Sequence, residues 1–346
     1  MLVFAAALAM LSSDALADRL VSYGRETVEM VHGRYFIPGK HGLYADALVN
    51  GKRGKQVAFN WGCGVWLSAL NGAASVDAKY KPWLKEFADA THRYWNPAGP
   101  VPGFDVLPMP KQPDRYYDDN EWMALALADT AEVLHEPKYK AWAEQALQFA
   151  LSGQGLDEGI FWREKEKSSK NTCSNAPAAA ALLQIASDRS RAEAIYAWTK
   201  QHLQDPVDLL MWDNVDLKGK VDKTKWSYNT GLMIRTASVL GLQSEATAMA
   251  KSSVAKWLRD GMLVDEGKFV HLLVESWTYL DDTSSIPWPE VAQALIDLHD
   301  HKRSPGGQYP SRWDTRIVAK DKKNELIDQA SYARACFVVA RRLGVK

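Results

Sequence analysis

The chain has 346 residues, above the usual single-domain length but within reach of architectures that fold as one compact unit. Lys plus Arg and Asp plus Glu balance at 42 each, so no net field draws the protein to nucleic acid or to an acidic membrane face, and a neutral or small-molecule partner is expected. The 14 Trp and 13 Tyr, against 9 Phe, supply rings with an apolar face and a polar edge, which suit buried cores and sugar surfaces alike.

The chain opens on MLVFAAALAMLSSDALA, an apolar run ending in Ala15-Leu16-Ala17, the small-x-small pattern that precedes a signal-peptidase cut. The expectation is an export signal over residues 1–17, a single domain over 18–346, and a secreted or periplasmic location. A basic leading segment is missing, which leaves an ordinary N-terminal helix as the alternative. No other segment is long and apolar enough to span a bilayer. Cys63, Cys173 and Cys336 are too few and too scattered for a disulfide framework or a Cys-x-x-Cys metal site.

From there two kinds of helical pattern alternate. Six segments are rich in small, apolar and aromatic residues: FNWGCGVWLSALNGAA from 59, DDNEWMALALADTAEVL from 118, KNTCSNAPAAAALLQIA from 170, WSYNTGLMIRTASVLGL from 226, KFVHLLVESWTYL from 268 and IDQASYARACFVVARRL from 327. Between them lie six patterns with apolar residues on one stripe only, from DRLVSYGRETVEMVHGRYF at the start to PEVAQALIDLHDH near the end. Helices buried all round alternating with amphipathic ones predict an inner ring of six wrapped by an outer ring of six, an (α/α)6 toroid. Strand signals are nearly absent. Links from inner to outer helices are short, whereas outer-to-inner connections are long, notably 34–58, 96–117, 204–226 and 303–324. The long loops therefore gather where the inner helices begin, and a site is expected at that mouth.

The first turns of the inner helices hold Asn60, Trp61 and Gly62; Asp118, Asp119 and Asn120; Lys170, Asn171, Ser174 and Asn175; Trp226, Tyr228 and Asn229. One capping residue per helix suffices, and the excess of amides and rings is what hydroxyl-rich ligands require. Asp118 and Asp119 suit a helix cap and also suit catalysis. If the first is not yet helical, the two carboxylates can converge to about 5 to 5.5 Å, the spacing of a nucleophile and an acid/base in retaining glycosidases. The residues alone leave both readings open.

DDNEWMALALADTAEV, followed by KNTCSNAPAAAALLQIA and WDNVDLKGKVDKTKWSYNTG, resembles glycoside hydrolase family 76, the endo-α-1,6-mannanases, in the order and spacing of its motifs from about Phe59 into the last inner helix. The resemblance implies the (α/α)6 fold and hydrolysis of α-1,6-mannan with retention, without metal or cofactor. It implies Asp118 as nucleophile and Asp119 as acid/base, with Lys170, Asn171, Ser174, Asn175, Tyr228, Asn229 and Gly231 lining the substrate cleft. Trp61, Asn120 and Asp213 are added as substrate-binding candidates. This chain departs from the family pattern at Thr230, where Gln is common, at Glu121-Trp122-Met123, where a small residue and two Trp are common, and at Cys63 within the first inner helix.

A transglycosidase using the same aspartates, and a non-catalytic glycan-binding protein, are the rival functions. Elsewhere, Asp281 and Asp282 are expected as loop or cap residues at the far end of the barrel, and His299 and His301 as solvated surface. Trp313 is expected to anchor its loop, and a Cys63–Cys336 disulfide is conceivable because the first and last inner helices become neighbours.

Overall fold

The structure, a computed structural model, describes residues 12–108, 112–315, 318 and 322–345. Twelve helices alternate along it: α1 (Ser13–Tyr35), α2 (Asn60–Val76), α3 (Lys81–Thr91), α4 (Tyr117–Leu134), α5 (Pro137–Leu151), α6 (Thr172–Ala181), α7 (Arg189–Leu203), α8 (Ser227–Val239), α9 (Gln243–Trp257), α10 (Gly267–Trp277), α11 (Trp288–Lys302) and α12 (Leu326–Arg342). Each even-numbered helix packs on the next, and α12 packs back on α2, so six inner helices close a ring. The odd-numbered helices lie outside it, α1 resting on α12 and α5 on α4. This is the (α/α)6 toroid expected from the alternation.

Burial follows the two kinds of pattern. Every residue of α6 is buried, and so are most of α8 and α12, whereas α1 and α9 bury one stripe. Small residues let the inner helices approach closely. A Cβ at Gly231 of α8 would sit 2.7 Å from the Leu273 backbone of α10, so only glycine fits there. The inner helix α6 carries Pro177 and ends in a π-helical turn, Leu182–Ala186, which shifts the register of its last residues.

The first helix begins at Ser13, so the Ala15-Leu16-Ala17 stretch lies in its opening turn with Leu16 and Ala17 buried. Residues 1–11 of the expected signal lie outside the described residues. Among the described residues no helix is long and apolar enough to cross a membrane.

The sequence pattern missed a set of very short strands. Ala47–Val49 pairs with Lys52–Arg53 and with Lys323–Glu325, and so ties the loop before α2 to the segment before α12. Ser169–Asn171 pairs with Asn214–Asp216, which pairs with Val221–Asp222, and so joins the approaches to α6 and α8. Two further ladders, Trp95–Asn96 with Gly103–Phe104 and Leu258–Arg259 with Met262–Leu263, brace other loops. At two or three residues each, such strands carry no readable alternation.

The opposite end of the barrel is closed by a polar layer. Arg235 Nη2 donates to Gln184 Oε1 at 2.6 Å, Gln184 Nε2 donates to Asp129 Oδ1 at 2.8 Å, and both Arg235 and Arg334 pair with Glu275. Beside this network lies a cavity of about 610 Å³, bounded by Asn71, Asp129, Glu275, Tyr279 and Arg334.

Other expectations resolve simply. All three cysteines are free, with Cys63 Sγ 3.3 Å from the Tyr94 hydroxyl, so the conceivable Cys63–Cys336 bridge does not form. Trp313 is buried against Gly267 and Tyr332, as a loop anchor. Asp281 and Asp282 lie exposed beyond the end of α10. His299 is a correction: it is buried, stacked on Tyr23 at 3.5 Å, with Nδ1 2.7 Å from the Tyr309 hydroxyl. It sits on the inner stripe of α11, while His301, two residues on, faces solvent.

Candidate active site

None of the six inner helices has a side-chain cap. Their N-cap residues are Phe59, Tyr116, Asn171, Trp226, Glu266 and Glu325, and none bonds the first-turn N–H groups through its side chain. The positive ends of six helix dipoles therefore converge on one mouth. Among the outer helices α1 is capped by Ser12 and α7 by Asp188, and the other four also lack a side-chain cap. Asp118 and Asp119 are the second and third residues of α4, already inside the helix, so the expectation of a non-helical first aspartate is corrected and neither serves as an N-cap.

Because all six helices enter the mouth alike, residues at one position from each start form a layer. The second positions are Trp61, Asp118, Cys173, Tyr228, Lys268 and Ile327. Cys173 Sγ donates to Asp118 Oδ2 at 3.3 Å, and the Lys268 ammonium lies 5.8 Å over the Trp61 ring. The third positions add Asp119, Ser174, Asn229, Phe269 and Asp328.

The fourth positions hold the loops instead. Asn120 accepts from Phe104 N–H at 2.7 Å and donates to the Phe104 carbonyl at 3.0 Å and to the Tyr116 carbonyl at 2.9 Å. Asn175 does the same with Ile160 and Asn171, and Gln329 with Tyr309 and Glu325. In α8 the Thr230 hydroxyl accepts from Met211 N–H at 3.0 Å. Asn120 and Asn175 are fully buried with their amides spent on backbone, so they are loop clamps and not substrate ligands. Lys170 is a second correction. Consecutive strand residues face opposite ways, and here Lys170 turns its ammonium to Asp157 and to the Phe161 and Trp198 rings, pinning the 152–171 loop. Asn171 stays in the same strand, its Oδ1 accepting from the Ser169 hydroxyl at 2.7 Å.

Other expected residues do reach the mouth. Asp213 accepts from Asn214 Nδ2 at 2.9 Å and from Asn229 Nδ2 at 3.4 Å, and burial raises its pKa. Tyr228 stacks on Phe269 at 4.7 Å, and Phe269 in turn packs on Trp226 at 5.0 Å and on Trp61 at 5.8 Å, an aromatic strip along one side of the opening. Phe59 and Trp162 are large rings that remain substantially exposed at helix or loop ends beside it.

The aspartates differ in their surroundings. Asp118 receives three donors: Asp119 N–H at 3.0 Å, Trp162 Nε1 at 3.1 Å and the Cys173 thiol. Burial still raises its pKa, with those bonds opposing. Asp119 receives no side-chain donor among the described residues. Burial, then the Asp118 and Asp114 charges, push its pKa well above the ordinary carboxylate value. No cation acts strongly on either group. Both shifts are upward, and Asp119, without a side-chain donor, is raised the further of the two, so Asp118 is the more readily ionised of the pair.

Sequence reasoning missed Trp162, Cys173, Phe269, Glu121 and Asp328. Trp162 sits on a loop without local signal, whereas the other four would have followed from counting positions from the helix starts. Glu121 is fully buried with both oxygens unbonded, and burial raises its pKa far above the usual value. Asp328 is pushed up to about 7 by burial and by Glu325. Among the described residues no group of three or more His, Cys, Asp or Glu is disposed to hold a metal ion.

Residues 44–260 match the model of Glycosyl hydrolase family 76. A GH76 alpha-mannanase from Bacteroides thetaiotaomicron superposes with TM-score 0.85 and 29% identity, over 93% of this chain and 96% of its own. A family 76 mannosidase from the same species gives 0.84 at 20% identity, over 94% and 99%. An inactive variant of an alpha-1,6-mannanase from Salegentibacter sp. HEL1_6, with two consecutive aspartates changed to asparagine and in complex with alpha-1,6-mannotriose, gives 0.76 at 21%, over 93% and 99%. No curated protein matches the sequence.

Proposed function

Since the chain belongs to glycosyl hydrolase family 76 and is a glycoside hydrolase, we propose that it is a retaining endo-α-1,6-mannanase in which Asp118 is the nucleophile and Asp119 the acid/base. The observation that carries this reading is the asymmetry of the pair: among the described residues Asp118 is held by three donors and the Asp119 carboxylate by none. In the first step an Asp118 oxygen attacks the anomeric carbon while the glycosidic C–O bond breaks, and the leaving oxygen takes the Asp119 proton. In the second step the Asp119 carboxylate takes a proton from water, the water oxygen attacks the same carbon, and the ester bond to Asp118 breaks.

Asp213, Asn229 and Asn171 are the polar groups assigned to sugar hydroxyls, and Trp61, with Tyr228 and Phe269 behind it, the stacking surface. The Salegentibacter complex supports an α-1,6-linked mannose substrate, and its inactivation by changes at two consecutive aspartates supports the assigned pair. Action outside the cytoplasm fits a polymeric glycan substrate and is proposed from the apolar run at the start of the sequence, with any cleavage lying before Leu16 and Ala17, which the core buries.

Reducing-sugar release from linear α-1,6-mannan tests the reading. Wild type should release oligosaccharides and Asp118→Ala should release none. Tight binding by wild type without release would make this a glycan-binding protein. Chain joining that depends on an added acceptor sugar would make it a transglycosidase.

A further inference from the structure

Of the three donors on Asp118, one comes from its own helix backbone, one from the Trp162 loop and one from α6, the Cys173 thiol at 3.3 Å. Cys173 is not free-standing. The second residue of α8, Tyr228, lies beside it, and the second residue of α4, Asp118, accepts the thiol's hydrogen bond. Cys173 is 4% exposed and Tyr228 8%, the latter fixed by stacking on Phe269, while Asp118 is half-buried. Pro177, four residues after Cys173, has no N–H to give to the Cys173 carbonyl, so the turn that carries the thiol is set by its contacts and not by a regular helical rung.

We propose that Cys173 is a positioning residue of the hydrolytic reaction, which orients the Asp118 carboxylate and sets how readily it gives up and takes a proton. The proposal rests on the reading of Asp118 as nucleophile. A thiol is a weak donor. It steadies the anion without clamping it as a hydroxyl does, and so leaves the carboxylate basic enough to attack. The ionisable groups around Asp118 are Asp119 and Glu121 on its own helix, Tyr116 at the helix entrance, Cys173 on α6 and Tyr228 on α8. None is a cation, so donor strength at Cys173 has no competing positive charge to mask it.

The test is a pH titration of full-length protein labelled with 13C at the aspartate carboxyl carbons, followed by NMR, with the Asp118 signal assigned by its loss in Asp118→Asn. Cys173→Ser should lower the Asp118 midpoint, and Cys173→Ala should raise it, each by at least about half a pH unit. The acidic limb of kcat/KM on α-1,6-mannotetraose should move with each midpoint. Midpoints at the wild-type value in both cysteine variants, or moving in the same direction, would overturn the proposal. If one cysteine variant does not fold, an unmoved midpoint in the other overturns it by itself. Failure of wild type to cleave the substrate would sink the functional reading alone, because the titration judges Cys173 without any turnover.

Discussion

The two ends of the inner ring are made by the same six helices and treat charge in opposite ways. At the base, Arg235 and Arg334 close on Glu275, and Gln184 links Arg235 to Asp129. At the mouth, Asp118 and Asp119 lie side by side, and among the described residues no cation pairs with them, Glu121 is buried with neither oxygen bonded, and Asp328 Oδ1 has no hydrogen-bond partner. Buried charge that is paired holds a fold together, and buried charge left unpaired is retained at a cost only a function explains. The comparison also separates volume from chemistry. The cavity of about 610 Å³ lies at the base, whose charges are already satisfied.

The sharpest way to break the comparison is at the mouth. Asp118→Ala should lower kcat/KM on α-1,6-mannan by at least about 10⁴-fold, and Asp119→Asn by about 10² to 10⁴-fold. Both variants should unfold at or above the wild-type temperature, because each removes an ionisable group held largely out of water with no compensating cation among the described residues. Differential scanning calorimetry alongside initial rates measures both effects. Lower stability in both would mean that the aspartates are structural after all.

At the base the opposite is expected. Arg334→Ala leaves Glu275 with a weakened partner set and should cost about 3 to 5 kcal/mol of unfolding free energy in urea melts, with kcat unchanged for the folded fraction. Between the two ends stands the clamp layer. Asn120→Ala strands the Phe104 N–H and carbonyl and should cost about 2 to 4 kcal/mol, with a rise in KM as the loop before α4 loosens.

The fold was legible because twelve helices of alternating character leave few other assemblies, and the candidate nucleophile and acid because two aspartates stand at one helix start. What could not be read was the division of labour among neighbours. Asn120 and Asn175 look like sugar ligands in a string of letters, but as fourth residues of their helices they reach back to the incoming loop. Lys170 looked like a cleft cation until the strand of Ser169–Asn171 turned it away. Both errors come from local geometry that short strands and loop contacts decide, and neither leaves a periodic signal. The N-cap of α4 is Tyr116, so of the two readings the sequence leaves open for Asp118 and Asp119 the structure removes the N-cap one.

The smallest effect is the most specific to this chain. The pKa of Glu121 in the folded protein lies well above its ordinary 4.5, so the native state keeps a proton that the unfolded chain loses. Stability from this group is complete below the unfolded value and declines as pH rises towards the folded one. Glu121→Gln cannot ionise, so its thermal midpoint should fall less than that of wild type between pH 5 and about 8. Parallel midpoint curves for the two proteins would show that Glu121 does not hold its proton in the fold.

The central claim, that Asp118 forms a covalent bond to the sugar, is tested most directly by the anomeric configuration of the first product. Proton NMR of α-1,6-mannan hydrolysis, recorded before mutarotation, should show the α-anomer appearing first. A β-anomer appearing first would mean single displacement by water, and Asp118 as nucleophile would be wrong.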